Sequence, residues 1–242
     1  FIECHACPEG CVSGALTVRS NGVFAPNSGT IAGPGPVINQ GTLTLRSSTI
    51  GASGALDNQG TVVVNGGSAV NGALTTAVGS TLRMQSDGTT GFATLTVASG
   101  FTNNGAIELT STGTTYSAQL TVTAGTLTNA AGGTIVSLVG TGGPRTLDAQ
   151  LDNQGLVTVN QPLTLSHAGA AHTSGGTIDV AAGDFTLNQS GTTPSFTNTG
   201  TVTLGTGRTW TLSGGTLNQS AGTIGGPGTV SLQSVTANFT TG

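Results

Sequence analysis

The residues best suited to chemistry fall in two places. Cys4, Cys7 and Cys11 crowd the N-terminal segment together with His5, and no other cysteine occurs in the chain. A Cys-x-x-Cys pair with a third thiol and an imidazole nearby is a donor set that zinc accepts. Pro8 stands where haem attachment would require a His, and no thioredoxin-like βαβ pattern surrounds the pair. In an oxidising compartment, three cysteines more simply give one disulfide and one thiol left for a neighbouring molecule. Cys4, Cys7 and Cys11 are therefore read as disulfide or cross-link residues, with no metal and no cofactor expected.

The second place is the stretch holding Asp148, Asp152, His167, His172, Asp179 and Asp184, the best candidate cluster of carboxylates and imidazoles in the repeat region. Asp152 and His172 lie 20 residues apart, a spacing that could make them neighbours on adjacent coils of a repeat. General acid–base chemistry needs such groups gathered on one surface. The alternative is a scatter of solvated loop residues. Asp57 and Asp152 occupy equivalent places in a duplicated phrase, which marks them as turn residues. No catalytic residue is assigned, and Ser and Thr are too common for any one to signal a nucleophile. Asn188-Gln-Ser, Asn218-Gln-Ser and Asn238-Phe-Thr match glycosylation sequons.

The bulk composition narrows the field. Charged residues make up 6% of 242, with five Arg, no Lys and nine acidic residues, while Gly is 41 and Thr 45. Without a basic stripe to neutralise phosphates, nucleic acid is not an expected partner. No run approaches the ~18 apolar residues of a membrane-spanning helix. Apolar residues recur in short Val, Ile, Leu and Thr segments, which is strand composition, and Gly or Thr interrupts every helical periodicity.

The elements that must position these residues come from an internal repeat. An apolar residue, an Asn and a Gly precede alternating Thr and aliphatic residues at Val37 (Val-Ile-Asn-Gln-Gly-Thr-Leu-Thr-Leu) and Leu56 (Leu-Asp-Asn-Gln-Gly-Thr-Val-Val-Val). Further copies start at Phe101, Leu151 and Phe196, and looser ones at Leu127 and Leu217. The intervals are 19, 45, 26, 24, 45 and 21 residues, near 22 or its double. Leu56 to Leu151 and Phe101 to Phe196 both span 95 residues, an internal duplication of about four coils.

Such a period predicts an all-β fold, a right-handed parallel β-helix (β-solenoid) of about ten to eleven coils. Three short strands per turn would stack at ~4.8 Å. Alternation places Leu43, Leu45, Val62, Val64, Ile107, Leu109, Val157, Val159, Val202 and Leu204 inside. Asn39, Asn58, Asn103, Asn153 and Asn198 are expected to stack as a side-chain ladder at one bend, and the Gly after each Asn to occupy a bend that a Cβ would obstruct. Residues 1–20 form a Cys-containing cap or junction, and 21–242 one continuous solenoid domain.

From about Val37 to Leu232, this phrase resembles the β-helical repeats of bacterial autotransporter passengers and filamentous-haemagglutinin-like surface proteins. The resemblance implies secretion, an extracellular or cell-surface location and an adhesive or structural role. It transfers no functional residue. With so little charge and no capping pattern at Val235–Gly242, self-association head to tail into a filament, or membership of a longer stalk, is expected. The expected partners are copies of the chain, other cell-surface components and glycans. Polysaccharide binding or cleavage is the first alternative, because other parallel β-helices act on polysaccharides. Ice binding is the second, suggested by Thr42/Thr44, Thr121/Thr123 and Thr201/Thr203.

Overall fold

Short runs of alternating aliphatic and Thr residues cannot bury their apolar side alone, so each needs a partner above and below. In the computed structural model, which describes residues 2–4, 14–113 and 115–240, they find it by winding into a parallel β-solenoid of about 10 turns. No helix occurs among the described residues. Three rows of strands run the length of the solenoid. The first contains Val37–Asn39, Leu56–Asn58, Phe101–Asn103 and Ser195–Asn198; the second Thr42–Arg46, Thr81–Ser86, Leu156–Val159 and Thr201–Leu204; the third Ala93–Val97, Leu163–Ser166, Phe185–Asn188 and Thr209–Ser213. Three strands are long enough to turn a corner and serve two rows: Thr61–Val70, Ala118–Asn129 and Arg145–Asn153.

Every pairing within the rows is parallel and in register, as Leu43↔Val62 and Val202↔Ile224 show. The alternation assigns sides as expected. All ten aliphatics predicted to point inward, from Leu43 to Leu204, are at most 2% exposed. In the later turns the column takes in large aromatics. Phe185 stacks on Trp210 with ring centroids 6.1 Å apart, and Phe196 meets the same indole edge-on at 5.5 Å.

Parallel pairing already includes Leu16–Val18, whose partner is Val37–Asn39. The solenoid thus begins within the segment expected to be a cap. Ile2–Cys4 lies antiparallel on Leu16–Val18, with Cys4 opposite Leu16. This antiparallel strand covers that edge and departs from the parallel pattern that the other turns share. Cys7 and Cys11 lie outside the described residues, as does His5.

The glycines after the Asn positions answer to close approach rather than to a special backbone angle. Gly60 and Gly200 do not have the left-handed φ that favours glycine. A Cβ on Gly60 would instead collide with the Gly41 carbonyl of the turn below, and one on Gly200 with the Gly176 carbonyl. Gly132 has nothing within 4 Å and no unusual φ. Gly60→Ala is therefore expected to destabilise by about 2–3 kcal/mol, because only backbone could yield. Gly132→Ala should leave stability unchanged or raise it by about 0.5 kcal/mol through the unfolded chain. Urea unfolding of the two variants checks this, and equal midpoints would refute it.

Candidate functional site

The first-row bend places an amide column inside the solenoid. Asn39, Asn58, Asn103, Asn153 and Asn198 are each 0% exposed. Asn39 Nδ2 donates to Asn58 Oδ1 at 2.9 Å. Asn103 Nδ2 donates to Asn129 Oδ1, and Asn129 Nδ2 to Asn153 Oδ1, both at 2.9 Å. Asn153 Nδ2 then reaches Ser174 Oγ at 3.2 Å, and Asn198 Nδ2 reaches Gln219 Oε1 at 2.9 Å. The same amides donate across the corner to second-row carbonyls one turn on, including Thr61 and Thr81 from Asn39 and Asn58. Each amide thus ties its own turn to the next at a place where the chain changes direction and leaves carbonyls short of partners.

Four members of the column escape the Asn-based sequence pattern, among them Gln219, in register with Asn198. Asn129 stands in the looser copy at Leu127. Thr76 and Ser174 take the place of Asn in the turns that fill the two 45-residue intervals, with Thr76 in register with Asn58 and Asn103, and Ser174 with Asn153 and Asn198. Hydroxyls satisfy the bend but break the amide relay, so the column falls into segments. Asn39 Oδ1 and Asn198 Oδ1 each begin a segment and have no hydrogen-bond partner among the described residues.

The acidic and imidazole groups do not converge. Asp148 and His167 pair on the third-row face, Nδ1 to Oδ1 at 2.8 Å. Asp152 points outward from the first row and accepts from Thr173 Oγ1 and Gln154 Nε2, both at 2.7 Å. Asp57 repeats that arrangement with Thr75 and Gln59. Asp179 projects from the second row between Thr158 and Thr203, and Asp184 lies 3.7 Å from Arg208. The spacing that suggested an Asp152–His172 neighbourhood is one residue out. Asp152 is in register with Thr173, and a one-residue offset in a strand reverses the side. His172 therefore points into the core, 1% exposed.

There it repairs a gap in the ladder. Arg145–Asn153 and Ala171–Ser174 pair only at Asp152↔Thr173 and Asn153↔Ser174. The Leu151 N–H donates instead to His172 Nδ1 at 3.1 Å, and the Ala171 N–H to Gln150 Oε1 at 3.2 Å. An accepting Nδ1 leaves the ring proton on Nε2, which is buried with no partner among the described residues. Burial, reinforced by repulsion from His167, pulls the His172 pKa down to about 4. Arg145 is a second buried exception, 1% exposed. Its guanidinium donates to the Gly142 and Gly143 carbonyls and, at 3.4 Å, to that of Leu138. Burial lowers its pKa from the usual value. Its role is to hold the 138–143 loop over the end of the turn.

The outer faces differ in chemistry. On the third row, Thr94, Gln119, Thr146, Thr164, Thr186 and Thr211 stand one above another. Beside them runs a rank of Thr96, Thr121 and Asp148 and then Ser166, Asn188 and Ser213. Nine of these twelve carry a hydroxyl and only Asp148 a charge, so this face is polar yet almost neutral. The second row instead exposes the Arg83–Glu108 ion pair at 2.6 Å, Asp179 and the aliphatic Leu156. Thr42/Thr44 and Thr201/Thr203 lie on the second row and Thr121 on the third, so the Thr pairs that suggested ice binding do not share a face.

No family model, curated protein or solved structure matches the chain.

Two outcomes follow from the interior. Asn129→Leu, which strands the Asn103 donor below and the Asn153 acceptor above, is expected to cost about 3 kcal/mol, whereas Asn129→Ser, imitating position 174, should cost about half as much. Denaturant melts of the pair decide it, and equal losses would mean that the column contributes shape alone. For His172 the folded pKa lies below the unfolded value near 6.5, so the unfolded chain takes up the proton first. Stability from this residue is complete above pH 6.5 and is lost on acidification toward pH 4, by about 3 kcal/mol. His172→Leu should remove that share of the acid sensitivity, read as a shallower stability slope between pH 6.5 and 4. An unchanged slope would show that His172 protonates freely.

Proposed function

We propose that this chain is a non-enzymatic extracellular solenoid that spans distance and presents a surface, as part of a bacterial surface stalk or of a filament of stacked copies. The observation that carries the reading is the parallel ladder that continues through about 10 turns. At roughly 4.8 Å per turn, such a ladder is a rod of about 50 Å held by backbone hydrogen bonds along its axis. The repeated apolar-x-Asn-x-Gly phrase supports the comparison with autotransporter passengers and filamentous-haemagglutinin-like adhesins. The separation of Asp148, Asp152, His172 and Asp179 onto different sides supports a scaffold over an enzyme.

End-on growth has its own support. In Thr229–Gln233 the positions stacked on Trp210 and Leu212 are Val230 and Leu232, 37% and 43% exposed against 0% for the residues beneath them. That edge accepts one more turn, supplied by further chain or by a second copy. With only 6% charged residues, little repulsion opposes such stacking. Negative-stain micrographs are expected to show rods that lengthen with concentration. Leu232→Arg should shorten them without altering the circular-dichroism spectrum. If Cys4, Cys7 or Cys11 bridges copies, reductant shortens the rods as well. Monodisperse single rods at every concentration would overturn assembly.

A further inference from the structure

We infer that the third-row face is a binding surface for a neutral polysaccharide chain laid along the solenoid axis, with Phe92 and Tyr116 as its stacking platform. The inference rests on the extracellular surface reading and gives it a partner. Among the described residues three aromatics are exposed, of which Phe239 ends a first-row strand and Phe92 and Tyr116 border the third row. Phe92 and Tyr116 are 50% and 41% exposed. Both stand just ahead of third-row strands on successive turns, at the corner where Ala93 is in register with Ala118.

Glycines seat the two rings. The Phe92 ring lies over Gly67, the position in register with Thr94, so an aromatic surface takes the place that a side chain fills in the turns above. Tyr116 lies against Gly91 and Gly113. The Tyr116 backbone is tied down by Ser86 Oγ, which donates to its carbonyl at 2.9 Å. A ring held on a glycine floor keeps its outer face open and loses little freedom when something stacks on it.

From this platform the two polar ranks run up the same face, beginning with Thr94 and Thr96 and then Gln119 and Thr121, whose side chains are joined at 2.9 Å. A pyranose ring has an apolar C–H face for an aromatic ring and equatorial hydroxyls that need both donors and acceptors, which hydroxyl and amide groups supply. It also spans roughly one turn of the ladder, so successive sugars meet successive turns. Charge selects against other polymers. Within the two ranks the one carboxylate, Asp148, is already paired with His167. At the corner ahead of the row, Asp184 lies 3.7 Å from Arg208 and Asp87 accepts from the Thr89 and Thr90 N–H groups. Neither an anionic nor a cationic chain therefore gains a strong matching field. A second copy of the protein is better served by the open strand edge than by a hydroxyl face.

The test is affinity electrophoresis of the folded chain through gels containing hydroxyethylcellulose, dextran or mannan, with polygalacturonate as the charged comparison. Retardation by at least one neutral polymer and not by polygalacturonate is expected. Phe92→Ala with Tyr116→Ala should weaken it by about a hundredfold, about tenfold per ring. Tyr116→Phe should retain it, and a circular-dichroism melt verifies that each variant is folded. Migration unaffected by every neutral polymer, or undiminished retardation of the folded double variant, would overturn the proposal. So would thermal hysteresis without retardation, which would reassign the ranks to ice. Rods in micrographs with no retardation would remove the glycan surface and keep the scaffold. Retardation with release of reducing ends would keep the surface and remove the non-enzymatic reading.

Discussion

Parallel, in-register stacking sets each residue directly over its counterpart in the turn below, about 4.8 Å away, and nearly everything else in this molecule follows from that adjacency. An inward position must be compatible with itself repeated along the axis. Aliphatics meet the demand through dispersion alone, which is why Leu43, Val62, Leu82 and Ile107 succeed one another without loss of burial. A charge could not, since it would face its own kind at close range in a medium of low dielectric. An amide can. It carries both donor and acceptor, so Asn103, Asn129 and Asn153 bind one another head to tail and still have a hydrogen left for a corner carbonyl. Asn is thus the residue that reconciles a buried bend with a repeating column.

The same adjacency explains the corners. Where the chain leaves the first row, successive backbones approach more closely than a Cβ permits, and glycine sits over glycine at Gly41 and Gly60 and again at Gly176 and Gly200. The cost in chain entropy is real. It is offset by the corner's carbonyls gaining partners, as when Asn39 reaches Thr61 and Asn58 reaches Thr81. Asn and Gly therefore act as one device, the amide binding the corner that the glycine allows to close.

That device made much of the fold legible in the sequence. The Asn-x-Gly phrase and the alternation after it locate the bend, the inward aliphatics and the 95-residue duplication. What stayed hidden did so for the same reason. In the turns containing Leu74-Thr75-Thr76 and His172-Thr173-Ser174 a hydroxyl replaces the amide, so two turns read as gaps of double length. The duplication relates those two turns to each other, yet Leu74 and His172 differ, and an imidazole in an aliphatic column follows no periodic rule. It reflects a local failure of pairing that only the register between Arg145–Asn153 and Ala171–Ser174 exposes. Arg145 is concealed in the same way, because its carbonyl partners belong to an irregular loop. The apparent acidic cluster dissolves because sequence proximity within one turn spreads residues over three faces. The Phe92 and Tyr116 platform depends on glycines that no pattern connects to them.

Outside the column, adjacency constrains less and the faces diverge. Outward residues also stand over their counterparts, but water screens them, so a rank can hold the Arg83–Glu108 ion pair on one side and uncharged hydroxyls on another. Opposite charges on neighbouring turns suit a rank because each cancels the next. The third row forgoes that option at nearly every turn, although the spacing would accommodate it equally well. Stacking does not require Thr94, Thr146, Thr164 and Thr186 to be neutral, and the core beneath them would be unchanged by Glu and Arg. A neutral face on a scaffold able to carry charge is a property of the surface itself, and its explanation has to be sought in what meets that surface.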